Sequence, residues 1–280
     1  LNGNKLDFIV YDYLAEITMS IMARARAKDS TKGYAVDFVS SVLKLNLKQI
    51  ADQKIKILSN AGGVNPVACA EAIRELVKEL NLDLNVSVVL GDDLIDKKDQ
   101  FYKLQIKEMY SNDSFPQEEK IASINAYLGA FPIAKALNEG ADIVITGRSV
   151  DSAVTLGACI YKFGWNENDY DKLAAGSLAG HIIECGTQST GGNFTDWELV
   201  SKNLHEIGYP IVEVSDNGSF ICTKSKDTAG MVSFGTVAEQ MLYEIGDPQA
   251  YILPDVICDF SSVVIEEIAK DTVKVSGARG

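Results

Sequence analysis

Ile55-Lys56-Ile57-Leu58-Ser59-Asn60-Ala61-Gly62-Gly63-Val64-Asn65-Pro66 is the stretch that decides the fold class of this chain. Its first five residues are short, apolar and rich in β-formers, as a buried strand requires. Asn60 to Gly63 form a loop, and Asn65-Pro66 opens a helix expected to reach about Leu80. Asparagine accepts from the free N–H groups of a first helical turn, and proline at the first helical position forfeits no hydrogen bond. The same rhythm runs outward in both directions. Leu6-Asp7-Phe8-Ile9-Val10-Tyr11 reads as a strand, followed by helices over 14–27 and 36–52. Val86 to Leu90 reads as a strand closed by Gly91-Asp92-Asp93, and Asp142 to Thr146 as one closed by Gly147-Arg148. A helix from Ser149 to Phe163 follows. Short apolar strands alternating with amphipathic helices argue for parallel βαβ units, a three-layer α/β fold with helices on both sheet faces.

Between these units, residues 96–119 are polar and read as a mobile insertion. Residues 121–139 read as a helix kinked or broken at Pro132, with Gly140 as its C-terminal cap. Past Trp165 the rhythm changes. Residues 171–188 read as a helix that carries Gly176, Gly180 and Gly186, which signals close packing, a break or a ligand. Ile211 to Lys224 reads as a hairpin turning at Asp216-Asn217-Gly218-Ser219. A helix over 231–245 and strands over 256–276 complete the chain. The expected organisation is a mostly parallel α/β domain over 1–165 and a smaller α+β portion over 166–280.

Composition narrows the function classes. The 280 residues are 46% hydrophobic and 23% charged, an ordinary globular balance. Lys+Arg number 26 against 39 Asp+Glu, a formal net charge of -13, which disfavours sequence-independent binding to nucleic acid or anionic lipid. Five cysteines, an odd number without a Cys-x-x-Cys pair, suit free thiols in a reducing compartment, and two histidines argue against a multi-histidine zinc site. No apolar run approaches the ~20 residues that cross a bilayer. Leu1-Asn2-Gly3-Asn4-Lys5 has no leader-like apolar core behind it, so the expected location is the cytoplasm. The chain opens almost directly into a strand, so truncation is expected there, with an organelle-targeting segment left open.

Ligands of open parallel sheets settle at the carboxyl ends of the strands. Three polar loops, at Asn60–Gly63, Gly91–Asp93 and Thr146–Arg148, are therefore expected on one rim. Gly62 and Gly63 ahead of a helix would bring backbone N–H groups to an anion, or merely form a tight turn. Asp92 and Asp93 offer carboxylates to a hydroxyl or to a divalent cation, yet consecutive acids diverge, and one of them is expected to cap a helix. Arg148 can grip a carboxylate or phosphate, or pair with Asp151. The densest constellation is Gly180 to Asn193. On a helix, His181, Glu184, Cys185 and Gln188 share one face. A histidine one turn from a cysteine can favour the reactive thiolate, and the glutamate can orient the ring or act as a base. Thr190, Gly191, Gly192 and Asn193 would supply oxyanion donors. The competing reading is a small buried cysteine beside a structural histidine.

The segment Gly180-His181-x-x-Glu184-Cys185-x-x-Gln188-x-Thr190-Gly191-Gly192-Asn193 resembles the signature of the AtuA family, named for acyclic terpene utilisation. Tyr13-Leu14-Ala15-Glu16, Asn60 to Pro66, Gly91-Asp92-Asp93, Asn125-Ala126-Tyr127-Leu128-Gly129-Ala130, Thr146-Gly147-Arg148-x-x-Asp151-Ser152-Ala153 and Val275 to Gly280 also match, in family order. The family pattern extends beyond both ends of this chain. The resemblance implies catabolism of terpenoid or branched-chain acids and adds Asn125 and Tyr127 to the expected substrate-binding residues. The leading expectation is an enzyme acting on an acyl-CoA or related carboxylic acid by hydration, lyase or thioester chemistry. It would work on a small anionic substrate, as a homo-oligomer, without nucleic acid or membrane. His181, Glu184, Cys185, Gln188, Asp92 and Asp93 would be its catalytic residues, and no protein metal site is assigned. A non-catalytic binding or assembly subunit, and a metal-dependent phosphohydrolase, are the alternatives.

Overall fold

A computed structural model describes residues 5–280. The reading of Leu1 to Asn4 as leaderless therefore lies outside the described residues. Four short strands, β1 (Phe8–Tyr11), β2 (Lys56–Ser59), β3 (Val86–Val89) and β4 (Ile143–Thr146), form a parallel sheet of order β1-β2-β4-β3. β4 is buried along its whole length, as expected of the strand between β2 and β3, with which it pairs in parallel register. A separate antiparallel sheet has the order β5-β6-β10-β9, built from β5 (Pro210–Val214), β6 (Phe220–Lys224), β9 (Val264–Ala269) and β10 (Thr272–Ser276). The hairpin β5–β6 turns where the Asp216-Asn217-Gly218-Ser219 signal lies. A two-stranded ribbon joins β7 (Tyr251–Ile252) to β8 (Ile257–Cys258). The expected α/β architecture with an α+β C-terminal part is thus the one observed.

The helices are α1 (Glu16–Lys28), α2 (Lys44–Asp52), α3 (Pro66–Glu79), α4 (Lys98–Lys103), α5 (Phe131–Asn138), α6 (Ala153–Phe163), α7 (Tyr170–Glu184) and α8 (Phe234–Leu242). α3 begins as its sequence dictates: Asn65 Oδ1 accepts from Ala68 N, and Pro66 occupies the first turn. A π-helical segment, Phe38–Leu43, leads into α2, so the second helix expected over 36–52 is in two parts. The polar stretch 96–119 contains α4 and an isolated bridge between Lys107 and Ser114.

The helix expected over 121–139 is corrected. Only α5 forms, because Pro132 fits a first helical turn and would remove an interior hydrogen bond anywhere later. Residues 121–130 instead run as irregular chain, bridged from Asn125 to Asp93.

The chain divides into two compact units. One comprises the residues up to Asp12, Gly129–Glu139 and Val150–Gly280, and the other comprises Tyr13–Leu128 and Gly140–Ser149. In the first, α7 is buried from Leu173 to Ile182, and its glycines are the reason it can be. A Cβ at Gly176 would press on Leu156 and Trp165, and one at Gly180 on Ser152 at the start of α6. In the second, Leu58, Ile57, Ile73, Ile145 and Leu47 form the core. No helix among the described residues is long and apolar enough to cross a membrane.

Candidate functional site

In the unit that contains β2, β3 and β4, parallel pairing brings the three polar loops to one rim, as expected. Gly62 N donates to Thr146 O (3.1 Å), and Asp92 Oδ2 accepts from Arg148 N (2.8 Å) and Asn125 Nδ2 (2.9 Å). Asn60 Oδ1 accepts from Tyr13 N at 2.7 Å, which ties the approach to α1 onto the end of β2. Arg148 is only 5% exposed. Its Nη1 donates to Leu14 O (2.5 Å), its Nη2 to Tyr127 OH (3.2 Å), and the guanidinium lies over the Tyr127 ring at 4.4 Å. Tyr127 OH in turn donates to Glu16 Oε1 (2.7 Å), which also sits 3.4 Å from Arg148 Nη2. The Tyr127 hydrogen bond, foremost, holds the Glu16 carboxyl below its ordinary range.

Asp92 and Asp93 diverge. Asp92 is buried and its carboxyl is pushed up by desolvation, against the donors that face it. Asp93 faces outward, pairs with Arg26 (3.2 Å) and accepts from Ile95 N (3.1 Å), the capping role expected of one of the two. Among the described residues no group of three His, Cys, Asp or Glu side chains is gathered to hold a metal ion. Two surface cavities in this unit, of about 290 and 280 Å³, are lined around Lys98 and Tyr102 and around Arg26 and Asp93.

The Gly62–Gly63 anion cradle needs correction. Gly63 N donates to Asn60 O at 3.2 Å, so both amide groups are engaged within the sheet rim. Gly63 has φ +55, and a side chain there would collide with Met22. These glycines serve a tight turn and close packing.

In the other unit, α7 presents a buried ionisable pair. His181 Nδ1 lies 2.8 Å from Glu184 Oε1, with side-chain exposures of 3% and 9%. Burial disfavours the charged ring, but the Glu184 carboxylate, with the carbonyls of Gln240 and Met241, outweighs it and raises the His181 pKa. Burial likewise raises Glu184 above the usual carboxylate range. Both shifts point the same way: the pair holds protons more tightly than its members would in water. His181 Nε2 and Gln240 Oε1 are buried without a hydrogen bond of ordinary geometry among the described residues, the carbonyls of Gln240 and Met241 face the His181 ring, and Ser177 Oγ neighbours the Cys258 thiol. Gln240 Nε2 donates to His181 O at 2.9 Å. The Tyr251 ring lies 6.2 Å from the imidazole, and burial pushes its phenol up to about 12, with the charges of Glu184 and Asp151 adding to the effect.

Three expectations about this segment are corrected. The helix ends at Glu184, because Cys185 leaves helical geometry and Gly186 adopts φ +59. Gln188 lies instead in the 3-10 turn Gly186–Thr190, off the helical face that carries His181 and Glu184. Cys185 is not a favoured thiolate: burial pushes its thiol up to about 11, although Gln240 hydrogen-bonds it. Nor do the glycines form an oxyanion cradle. Gly191 N donates to Gln188 O (3.0 Å) and Gly192 N to Thr187 O (2.7 Å). Thr190 Oγ1 donates to Gly208 O at 2.6 Å, and Asn193 is exposed.

Gln240, Tyr251, Ser177 and Glu16 were not among the expected site residues. Gln240 carried a signal: a glutamine three residues after Val237, on the apolar stripe of α8, marks a buried polar group. Gly186 carried the other, as a helix-terminating glycine. Neither the search of curated proteins nor that of solved structures found a match. The family model described as acyclic terpene utilisation family protein AtuA matches residues 1–280, and the chain belongs to that family.

Proposed function

We propose that this protein is an enzyme of acyclic terpenoid utilisation that acts on a terpenoid or branched-chain carboxylic acid carried as its CoA thioester, by hydration, lyase or thioester chemistry. The observation that carries the reading is the His181–Glu184 pair, buried and 2.8 Å apart. A desolvated imidazole oriented by a carboxylate is suited to moving a proton at a bound carbonyl compound. Cys185 has no nucleophilic part in it, since a thiol pushed up to about 11 is scarcely ionised near neutrality. In the other unit, the exposed Glu16 carboxylate already rests on Tyr127 and Arg148. Within that unit Arg148 and Tyr127 are thereby suited to holding a carboxylate. A cytoplasmic location belongs to the same reading and is supported by the free cysteines.

The deep burial of His181, 3% exposed, favours one other reading, a non-catalytic binding subunit in which the pair is structural. The test is a panel of methyl-branched saturated and α,β-unsaturated acyl-CoA thioesters, followed by mass spectrometry. Turnover is expected, with kcat lower by about 10²- to 10⁴-fold in His181→Gln and Glu184→Gln. A wild-type protein that leaves every thioester unchanged would leave only the binding-subunit reading.

A further inference from the structure

The surface cavity of about 280 Å³ beside Arg26 and Asp93 carries an arginine that no sequence motif marked. Val64 lies past the end of β2, and Asp93 and Ile95 past the end of β3, so the cavity opens on the edge where parallel sheets take their ligands. One wall is α1, through Ala23, Arg26 and Ala27, and the irregular run after Ile121 supplies Ser123. Leu94 N donates to Ile124 O (2.8 Å) and Ala126 N to Asp92 O (2.8 Å), which holds that run against the rim. Arg26 is anchored at one nitrogen. Its Nη1 donates to Val64 O (2.5 Å) and to Asp93 Oδ2 (3.2 Å), and every hydrogen bond it makes among the described residues uses this atom. The side chain is 44% exposed, and its Nε and Nη2 edge is the planar fork that matches the two oxygens of a carboxylate. A backbone carbonyl fixes Nη1, so the fork is oriented before any ligand arrives and less rotamer freedom is lost on binding. Asp93 accepts from Ile95 N (3.1 Å) and from Arg26, and each of its oxygens keeps a second lone pair.

We propose that this cavity binds a short aliphatic hydroxycarboxylic acid, its carboxylate on Nε and Nη2 of Arg26 and its hydroxyl on Asp93 and Ser123. The charge balance selects the ligand. Arg26 and Asp93 cancel, and the other lining residues are uncharged. A dianion such as phosphate meets the Asp93 carboxylate beside a single guanidinium, whereas a monoanion is repelled less and a neighbouring hydroxyl gains an acceptor. The hydroxyl belongs on the carbon next to the carboxyl group, because Arg26 and Asp93 are themselves in contact. The alkyl part then lies on the aliphatic groups of Ala23, Val64 and Ile95. A CoA thioester has no carboxylate at its acyl end, so the ligand is the free acid. The volume suits a few carbons and falls just below the roughly 300–1,000 Å³ of sites for larger ligands. Every residue involved belongs to the unit containing β2, β3 and β4, and the proposal does not depend on what His181 and Glu184 do.

The experiment titrates the whole chain with 2-hydroxy-3-methylbutanoate, with 3-methylbutanoate, with the methyl ester of the hydroxy acid and with inorganic phosphate. Calorimetry gives the affinities, and ¹⁵N–¹H NMR follows the arginine Nε–H signals, that of Arg26 being the one lost in Arg26→Gln. Expected is a saturable shift of the Arg26 signal with the hydroxy acid, affinity about fivefold weaker without the hydroxyl, and no binding of the ester. Arg26→Gln should weaken the hydroxy acid about tenfold or more. Arg26 also ties α1 to Val64, so Ala27→Phe is the second variant: it fills the cavity from an exposed position, leaves the Arg26–Asp93 pair in place, and should weaken binding as far. The proposal is overturned if the hydroxy acid does not saturate the Arg26 signal, if the unhydroxylated acid, the ester or phosphate binds as tightly, or if a folded Ala27→Phe retains full affinity. No turnover enters these measurements. A protein inert toward every thioester can still bind the acid, and one that binds no acid can still turn a thioester over, so the two readings fail separately.

Discussion

Gly180→Ala tests how tightly α7 is built into its unit. Alanine in place of a helix-interior glycine contributes about 1 kcal/mol of propensity. At this position the added Cβ would stand 2.7 Å from the Ser152 carbonyl oxygen and 2.8 Å from Ser152 Cα and Cβ. Comfortable carbon contacts begin near 3.5 Å, and backbone atoms at the entry to α6 have no rotamer to turn away. Overpacking costs typically about 1–3 kcal/mol. Backbone obstruction places this case at the upper end, so the net effect is a destabilisation of about 2 kcal/mol. For a chain of this size, that lowers Tm by about 4–8 °C. Gly176→Ala is the internal control, because its Cβ would meet Leu156 Cδ1 at 2.7 Å and Trp165 Cζ3 at 2.9 Å, both side-chain atoms. Those can yield, gain and loss nearly cancel, and Tm should stay within about 2 °C of wild type. Both variants are to be followed by circular dichroism melting beside the parent protein. The reasoning is refuted if Gly180→Ala melts at or above wild type, or if Gly176→Ala falls as far.

Three further outcomes follow from the same geometry. Asn65→Ala removes the α3 cap and the two 2.9 Å donations from Nδ2 to the carbonyls of Ser30 and Lys32, so urea unfolding should show a loss of about 2 kcal/mol, of which Asn65→Asp recovers only the cap. Cys185 is the one half-buried cysteine, and its alkylation by iodoacetamide should rise with an apparent midpoint of about 11; a midpoint near 8 would restore the activated thiol. His181 and Glu184 are both raised, so the protonated forms are favoured by folding. Their stabilisation is full below the ordinary values and is lost as pH climbs through the raised folded ones. The His181 part of this loss should appear as a decline of the thermal midpoint above about pH 6.5, where an unperturbed imidazole titrates, and should be gentler in His181→Gln; equal slopes there would remove His181 as the cause.

Taken residue by residue, the chain's local chemistry determined the architecture. Period and length named β2, β3 and β4, Asn65 and Pro66 named the start of α3, and parallel alternation placed the Asn60, Asp92 and Arg148 loops on one rim. These are short-range facts, set by neighbours a few positions away. Tertiary structure alone decided what each polar group does. Asp92 meets Arg148 N across 56 positions, Arg148 meets Leu14 O across 134, and Gln240 meets His181 O across 59. No spacing rule reaches that far. The amide groups of Gly62, Gly63, Gly191 and Gly192 read as anion donors until the carbonyls that take them were in place. Cys185 reads as an activated thiol until its burial is known, because desolvation depends on everything packed around a group and on nothing in its own run of sequence.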